Sequence, residues 1–276
     1  MLPLSGLAAA STLSGMATLP SEIVAYYERG EEDQRLRSGA GRLEYWRTQD
    51  LLHRLVPTSS RVLDVGGGSG VHAEWLAEEG HHVELIDPVP LHVAQAERIA
   101  AVTARLGDAL ELPCADNSFD VVLLMGPLYH LIDYADRLRA LREAARASRG
   151  LIMCATINRC APLHDTLLTG RYFEPDVRAR VQASMASGMH RPREAEALFT
   201  TAYFHTPEEI AAESEEAGLD LVGQYGVEGA AWLMGELNSW LDDPAQRAEI
   251  LNAMRLTESV PSLLGVSAHL LTAMRR

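Results

Sequence analysis

Apolar residues fall in short blocks divided by polar turns, and the blocks alternate between two spacings. Short runs rich in β-branched residues and leucine cover 61–65, 83–86, 102–106, 120–125, 150–156, 219–225 and 267–274. Such runs, largely without polar alternation, predict strands covered on both faces. Between them, apolar positions at helical spacing predict helices over 71–79, 91–101, 133–147 and 207–217, with Gly80 and Gly218 as stops. Alternating strand and helix implies an α/β chain with a doubly wound, mostly parallel, seven-stranded sheet. Ahead of it, residues 21–57 read as two helices broken by Gly39-Ala-Gly41.

The first strand runs into Asp64-Val-Gly66-Gly-Gly68-Ser-Gly70, and the second ends in Asp87-Pro88. Glycines there give dihedrals closed to other residues and bring bare backbone close to a ligand. In doubly wound sheets ligands sit outside the carboxyl ends of the strands. Two ligand classes fit. Gly68-x-Gly70-x-x-Ala73 followed by Asp87 matches a dinucleotide fingerprint. Asp64 argues against that reading, because a carboxylate beside the turn repels a pyrophosphate and favours an ammonium or sulfonium.

Read with its acid, Asp64-x-Gly66-x-Gly68-x-Gly70 resembles motif I of the class I S-adenosylmethionine-dependent methyltransferases. The passage Leu112-Pro-Cys-Ala-Asp-Asn-Ser-Phe-Asp120 is similar to another stretch of that family. The resemblance implies that the last strand runs antiparallel to its neighbours and that S-adenosylmethionine is the cofactor. It also implies that the glycines pass under the methionine and ribose, that Asp87 binds the ribose, and that Asp108, with the Ala109 N–H, meets the adenine. Met125 ends the fourth strand at the ligand edge. Tyr27 or Arg42 from the leading helices is expected to reach the cofactor; Tyr26 and Arg35 are the other residues there with more than packing to offer.

Acceptor chemistry is harder to locate. Tyr129 and His130 follow Gly126-Pro127 and are placed beside the transferable methyl, with His130 as the candidate base because free imidazole titrates near neutrality. His205, Tyr203 and Trp232 are expected to line the substrate pocket, although a capping, packing or core role is open for each. Residues 158–205 and 229–262 read as helical insertions forming a lid over a core at 58–157, all within one domain from 21 to 276. Residues 1–20 read as a flexible tail.

Totals narrow the partners. With 24 basic against 38 acidic residues the net charge is −14, which disfavours an electrostatic grip on nucleic acid. A small-molecule methyl acceptor is the expected partner, and a homo-oligomer is compatible with the sequence. No apolar run approaches the ~20 residues of a membrane span. Cys114, Cys154 and Cys160 have no metal spacing and suit a reducing cytoplasm as buried small hydrophobes. No metal site is expected.

Overall fold

The computed structural model describes residues 20–28, 30, 32–192 and 199–276; the expected tail, apart from Pro20, lies outside them. Seven strands form one sheet: β1 Arg61–Val65, β2 His82–Asp87, β3 Val102–Leu106, β4 Phe119–Leu124, β5 Ser148–Ile157, β6 Asp220–Gly226 and β7 His269–Arg275. Their spatial order is β3-β2-β1-β4-β5-β7-β6. The first five are mutually parallel, and β7 runs antiparallel to both β5 and β6. The antiparallel strand is therefore interior and β6 is the edge, with Leu221 and Val222 exposed.

The apolar runs have a direct cause. Leu63, Val122 and Ile152 point into one buried layer, while their neighbours Val62, Val121 and Met153 point into the other. Both faces are covered, so few positions along these strands are left for a polar residue. At roughly 25 cal/mol per Å2, this apolar burial is the main term holding the sheet together. Glu84, Thr103 and Arg105 interrupt the outer strands β2 and β3, whereas the buried acids stand at the carboxyl ends of β1 and β2. Register pairs Asp64 with Leu85 on β2 and Leu123 on β4, and pairs Asp87 with Leu106 on β3. These acids therefore stand on one edge, where the strands stop and the βα turns begin.

Around the sheet, helix Gly41–Leu55 lies ahead of β1, Val71–Glu78 joins β1 to β2, and Tyr134–Ala147 leads into β5. The helix predicted over 91–101 is shorter, Pro90–Ala96, because the chain then turns and Ala101 takes a positive φ of 66°. Helix Pro207–Glu216 starts in a capping box, with Thr206 accepting from the Glu209 N–H and Glu209 reaching back to the Thr206 N–H.

Two stretches depart from simple crossovers. Between β5 and β6 lie helices Ala161–Leu168 and Pro175–Ser187 and a two-stranded ribbon, Met189–His190 against Ala202–Tyr203. Between β6 and β7 lie helices Leu237–Asp242 and Pro244–Arg255. Fully buried Arg47 ties this second stretch to helix Gly41–Leu55: its Nε donates to the Val227 carbonyl at 2.9 Å and its Nη2 to Glu258 at 2.6 Å. Asp50 accepts from Nη1 at 2.5 Å, so the buried cation is neutralised on two sides.

Candidate functional site

The carboxyl edge of β1–β4 opens into a cleft. Its floor is the turn after β1. Gly66 and Gly68 take φ of 68° and 59°, in the left-handed region that a side chain disfavours. A Cβ on Gly67 would stand 2.5 Å from Asp64 Oδ2, and one on Gly66 would stand 2.8 Å from the Pro127 ring. Bare backbone is therefore required where the β1 turn meets the β4 turn.

Asp64 is 1% exposed, and neither of its carboxylate oxygens has a hydrogen-bond partner among the described residues. Burial, reinforced by the nearby Asp87 charge, pushes its carboxyl up to about 7. A buried acid without a partner is costly, and a bound cation relieves that cost. Asp87 differs: it accepts from the Gly68 and Val89 N–H groups, both at 2.9 Å, and its Oδ1 lies 3.1 Å from His92 Nδ1. These bonds hold the glycine turn against the tip of β2. Asp108 accepts from the Leu110 N–H at 2.8 Å, and burial raises its carboxyl above the ordinary range.

Asp64, Asp87 and Asp108 all line this one cleft. Gly66, Gly68, Pro88, Ala109 and Met125 line it with them, as do Tyr27, Tyr129 and His130 from the opposite wall. Gly70 does not. It precedes helix Val71–Glu78 with φ of 91°, and a Cβ there would stand 2.6 Å from Ile99, so its smallness serves packing.

A second cavity adjoins the cleft. Its walls come from the chain between β5 and β6, with Val181 and Phe204, and from Trp232 beyond β6. Tyr26 and Phe199 add aromatic surface, their rings 5.8 Å apart edge to face. Tyr27, Arg35, Tyr129 and His269 border both cavities, so the two communicate there.

Three expectations change with these positions. Arg42 lines neither cavity: its guanidinium bonds Asp242 at 2.7 Å and the Asn238 carbonyl at 3.3 Å, pinning helix Leu237–Asp242. Tyr203 and His205 also miss both. The Arg137 guanidinium covers the Tyr203 ring at 3.8 Å, and His205 Nε2 lies 3.3 Å from Glu213 inside a buried ion-pair cluster. Trp232 does line the second cavity, with its Nε1 donating to the Val266 carbonyl at 2.9 Å. Finally, His130 does not titrate near neutrality. Burial, opposed by the Thr201 backbone and the Asp87 charge, lowers its imidazole to about 4. It stands neutral, 2.7 Å from the Tyr27 hydroxyl.

Sequence reasoning missed a charged group at the junction. His269 opens β7, its Nδ1 2.5 Å from Glu228 Oε1 and 3.8 Å from Glu44 Oε2. Arg35 bonds the same Glu44 carboxylate at 2.6 and 3.1 Å. Burial works against charge on His269, yet Glu44 and Glu228 hold its imidazolium up to about 9. Ligand atoms of Glu44, Glu228 and His269 lie within 4.8 Å of one another. Arg35 and the imidazolium already neutralise both carboxylates, so the arrangement is an ion-pair cluster rather than a cage awaiting a divalent cation.

Residues 62–150 match the family profile described as "Methyltransferase domain". Among curated proteins, the chain is 30% identical over 166 residues to a ubiquinone biosynthesis O-methyltransferase of Azorhizobium caulinodans, covering 58% of this chain and 59% of that one. It is 38% identical over 118 residues to a tRNA U34 carboxymethyltransferase of Shewanella woodyi, covering 39% and 35%. The chain thus spans about a third to three fifths of the length of these relatives. Solved structures share the fold: an S-adenosylmethionine-dependent methyltransferase of Mesorhizobium loti superposes with a TM-score of 0.57 at 17% identity, covering 87% of this chain and 100% of that one. One from Methanosarcina mazei gives 0.57 at 16% identity, covering 82% and 96%. No helix among the described residues is long and apolar enough to cross a membrane. Strand order, the acid-and-glycine edge and the matched segment agree: the chain has the fold of the S-adenosylmethionine-dependent methyltransferases, and residues 62–150 match the methyltransferase domain.

Proposed function

We propose that this protein moves the methyl group of S-adenosylmethionine onto an oxygen, nitrogen or carbon of a small molecule held in the second cavity. The observation carrying the cofactor half is Asp64, a buried carboxylate without a partner under a turn of bare backbone. The donor set fits the cofactor's charge, since its methionine end brings an ammonium and a sulfonium. A pyrophosphate would meet only repulsion from Asp64, which disfavours an NAD-dependent oxidoreductase.

In this reading Asp64 takes the cationic methionine end, Asp87 the ribose, and Asp108 with the Ala109 N–H the adenine. Tyr27 closes over the cleft, its hydroxyl hydrogen-bonded to His130 at 2.7 Å, which fixes its angle. Tyr129, which lines both cavities, stands where the methyl passes from one to the other. Most of the acceleration then comes from holding acceptor and sulfonium in line while the two inserted stretches exclude water.

A small acceptor is favoured by the aromatic cavity and by the surplus of acidic residues, although one relative is named for a tRNA reaction. The match to that relative covers 39% of this chain. Calorimetry with S-adenosylmethionine, S-adenosylhomocysteine and NADH tests the cofactor; binding of the first two without the third is expected. Transfer of labelled methyl from the cofactor into a small-molecule extract, with RNA as the parallel substrate, tests the acceptor class. Label appearing in RNA alone overturns it.

A further inference from the structure

The corner joining the two cavities holds a built, charged donor that the cofactor reading leaves unused. His269 stands opposite Ile157 at the tip of β5, on the acceptor side of the sheet. Its orientation is fixed from several directions. Glu228 Oε1 takes Nδ1 at 2.5 Å, while Glu228 Oε2 accepts from the His269 backbone N–H at 2.9 Å and from Ser267 Oγ at 2.8 Å. With Nδ1 committed to Glu228, Nε2 is the ring nitrogen left for the cavity. Glu44, itself held down to about 2 against burial by Arg35 and His269, adds a second negative neighbour. The imidazole is thereby kept charged, with its remaining N–H available as a charge-assisted donor.

We propose that His269 Nε2–H anchors the acceptor's attacking oxygen, which arrives already ionised, so that the acceptor is a flat aromatic acid: a phenol or an aryl carboxylate. This rests on the reading that the neighbouring cleft holds S-adenosylmethionine. The second cavity supplies the rest of the match, with Tyr26, Phe199, Phe204 and Trp232 offering apolar ring surface to a flat body. Arg35 borders the same corner and adds positive potential there. Other charged or titratable groups of this cavity stand on its remaining walls: Asp165 with Arg171, and Arg180 with His190.

The step balances without a proton acceptor. A lone pair of the anionic oxygen forms the O–CH3 bond as the S–CH3 bond breaks, and the breaking pair stays on sulfur. An anion and a sulfonium become a neutral ether or ester and a neutral thioether, while His269 keeps its proton throughout. Neutral, low-pKa His130 is then no deficiency, because nothing in the step requires a base.

The test uses the full chain saturated with S-adenosylhomocysteine. Calorimetry compares 4-nitrophenol with 4-nitroanisole, and benzoate with methyl benzoate, at pH 8, where both acids are ionised. At least one anion should bind about tenfold or more tighter than its methylated mate, the size expected of one charge-assisted hydrogen bond. His269→Gln, measured at saturating S-adenosylhomocysteine, should reduce that preference to within about twofold. In the wild type the preference should be lost as pH rises past about 9, and Glu228→Gln should move that midpoint down by about a unit or more. If the wild type fails to bind S-adenosylhomocysteine, the methyltransferase reading itself fails. If it binds, but neither anion is preferred or His269→Gln keeps the preference, the anchor is refuted. Should His269→Gln lose S-adenosylhomocysteine binding through misfolding, an unmoved midpoint in Glu228→Gln refutes it instead.

Discussion

The two cavities are built on opposite principles. The floor of the first cleft is made of backbone and acids that lie close together in sequence, from Asp64 to Asp108, although Tyr27, Tyr129 and His130 line it too. The second cavity is made of side chains from distant segments, among them Tyr26, Val181, Phe204, Trp232 and His269. On the proposed reading the first takes S-adenosylmethionine, and its bare-backbone turn leaves little room for side chains at Gly66 and Gly67. The second is walled largely by the stretches inserted between β5 and β6 and between β6 and β7. If the proposed reading holds, cofactor binding and acceptor choice should respond separately to mutations away from the shared corner.

The largest effect should come from Asp64→Asn. Affinity for S-adenosylmethionine should fall about a hundredfold or more by calorimetry, since a buried charge contact is lost. The unliganded protein should melt higher. The native carboxyl titrates near 7, above its unfolded value of 3.8, so ionisation favours the unfolded chain across the intervening pH range. Removing that acid should stabilise the apo state at neutral pH by on the order of a few kcal/mol. A variant that kept its affinity would break the contrast at its root.

Val181→Trp probes the other side. The wild-type side chain is buried and lines the second cavity, so the indole should fill acceptor space. Methyl transfer to extract should drop about twentyfold or more, with S-adenosylhomocysteine affinity within about twofold of wild type. Equal losses of binding and transfer would show that the cavities are not independent.

A smaller effect concerns pH. Binding of the cationic cofactor needs Asp64 ionised, so affinity should weaken as pH falls below about 7. The slope approaches about tenfold per pH unit well below the midpoint. Asp64→Asn should flatten this limb of the profile. Smallest of all, Arg42→Ala should leave cofactor affinity within about twofold, because its ion pair with exposed Asp242 is worth ~1 kcal/mol or less. Loss of binding in that variant would return Arg42 to the cofactor.

The same division explains what could be read from sequence. Asp64, Gly66, Gly68 and Asp87 announce themselves because backbone geometry imposes a local spacing, and strand register then carries them to one edge. Gly70 shares the pattern but meets Ile99 and Ala96, which lie on the far side of the β2 turn. Side-chain placement beyond β5 follows no such spacing. Tyr203 and His205 precede a helix much as pocket residues would, yet Arg137 and Glu213 draw them into a buried cluster. Nothing near either residue in sequence marks that pull. His269 was hidden for the converse reason. It is one residue of a final strand, and its partners Glu228 and Glu44 come from a loop and from a helix ahead of the sheet.

Arg47 gives this partition a mechanical limit. One guanidinium keys helix Gly41–Leu55 to the Val227 carbonyl and to Glu258, at the two ends of the stretch between β6 and β7. Glu44 and Thr48 of the same helix line the first cavity, and the stretch between β6 and β7 lends Trp232 to the second. On the proposed reading a shift of that helix would therefore disturb both compartments together, through the bonds of a single side chain.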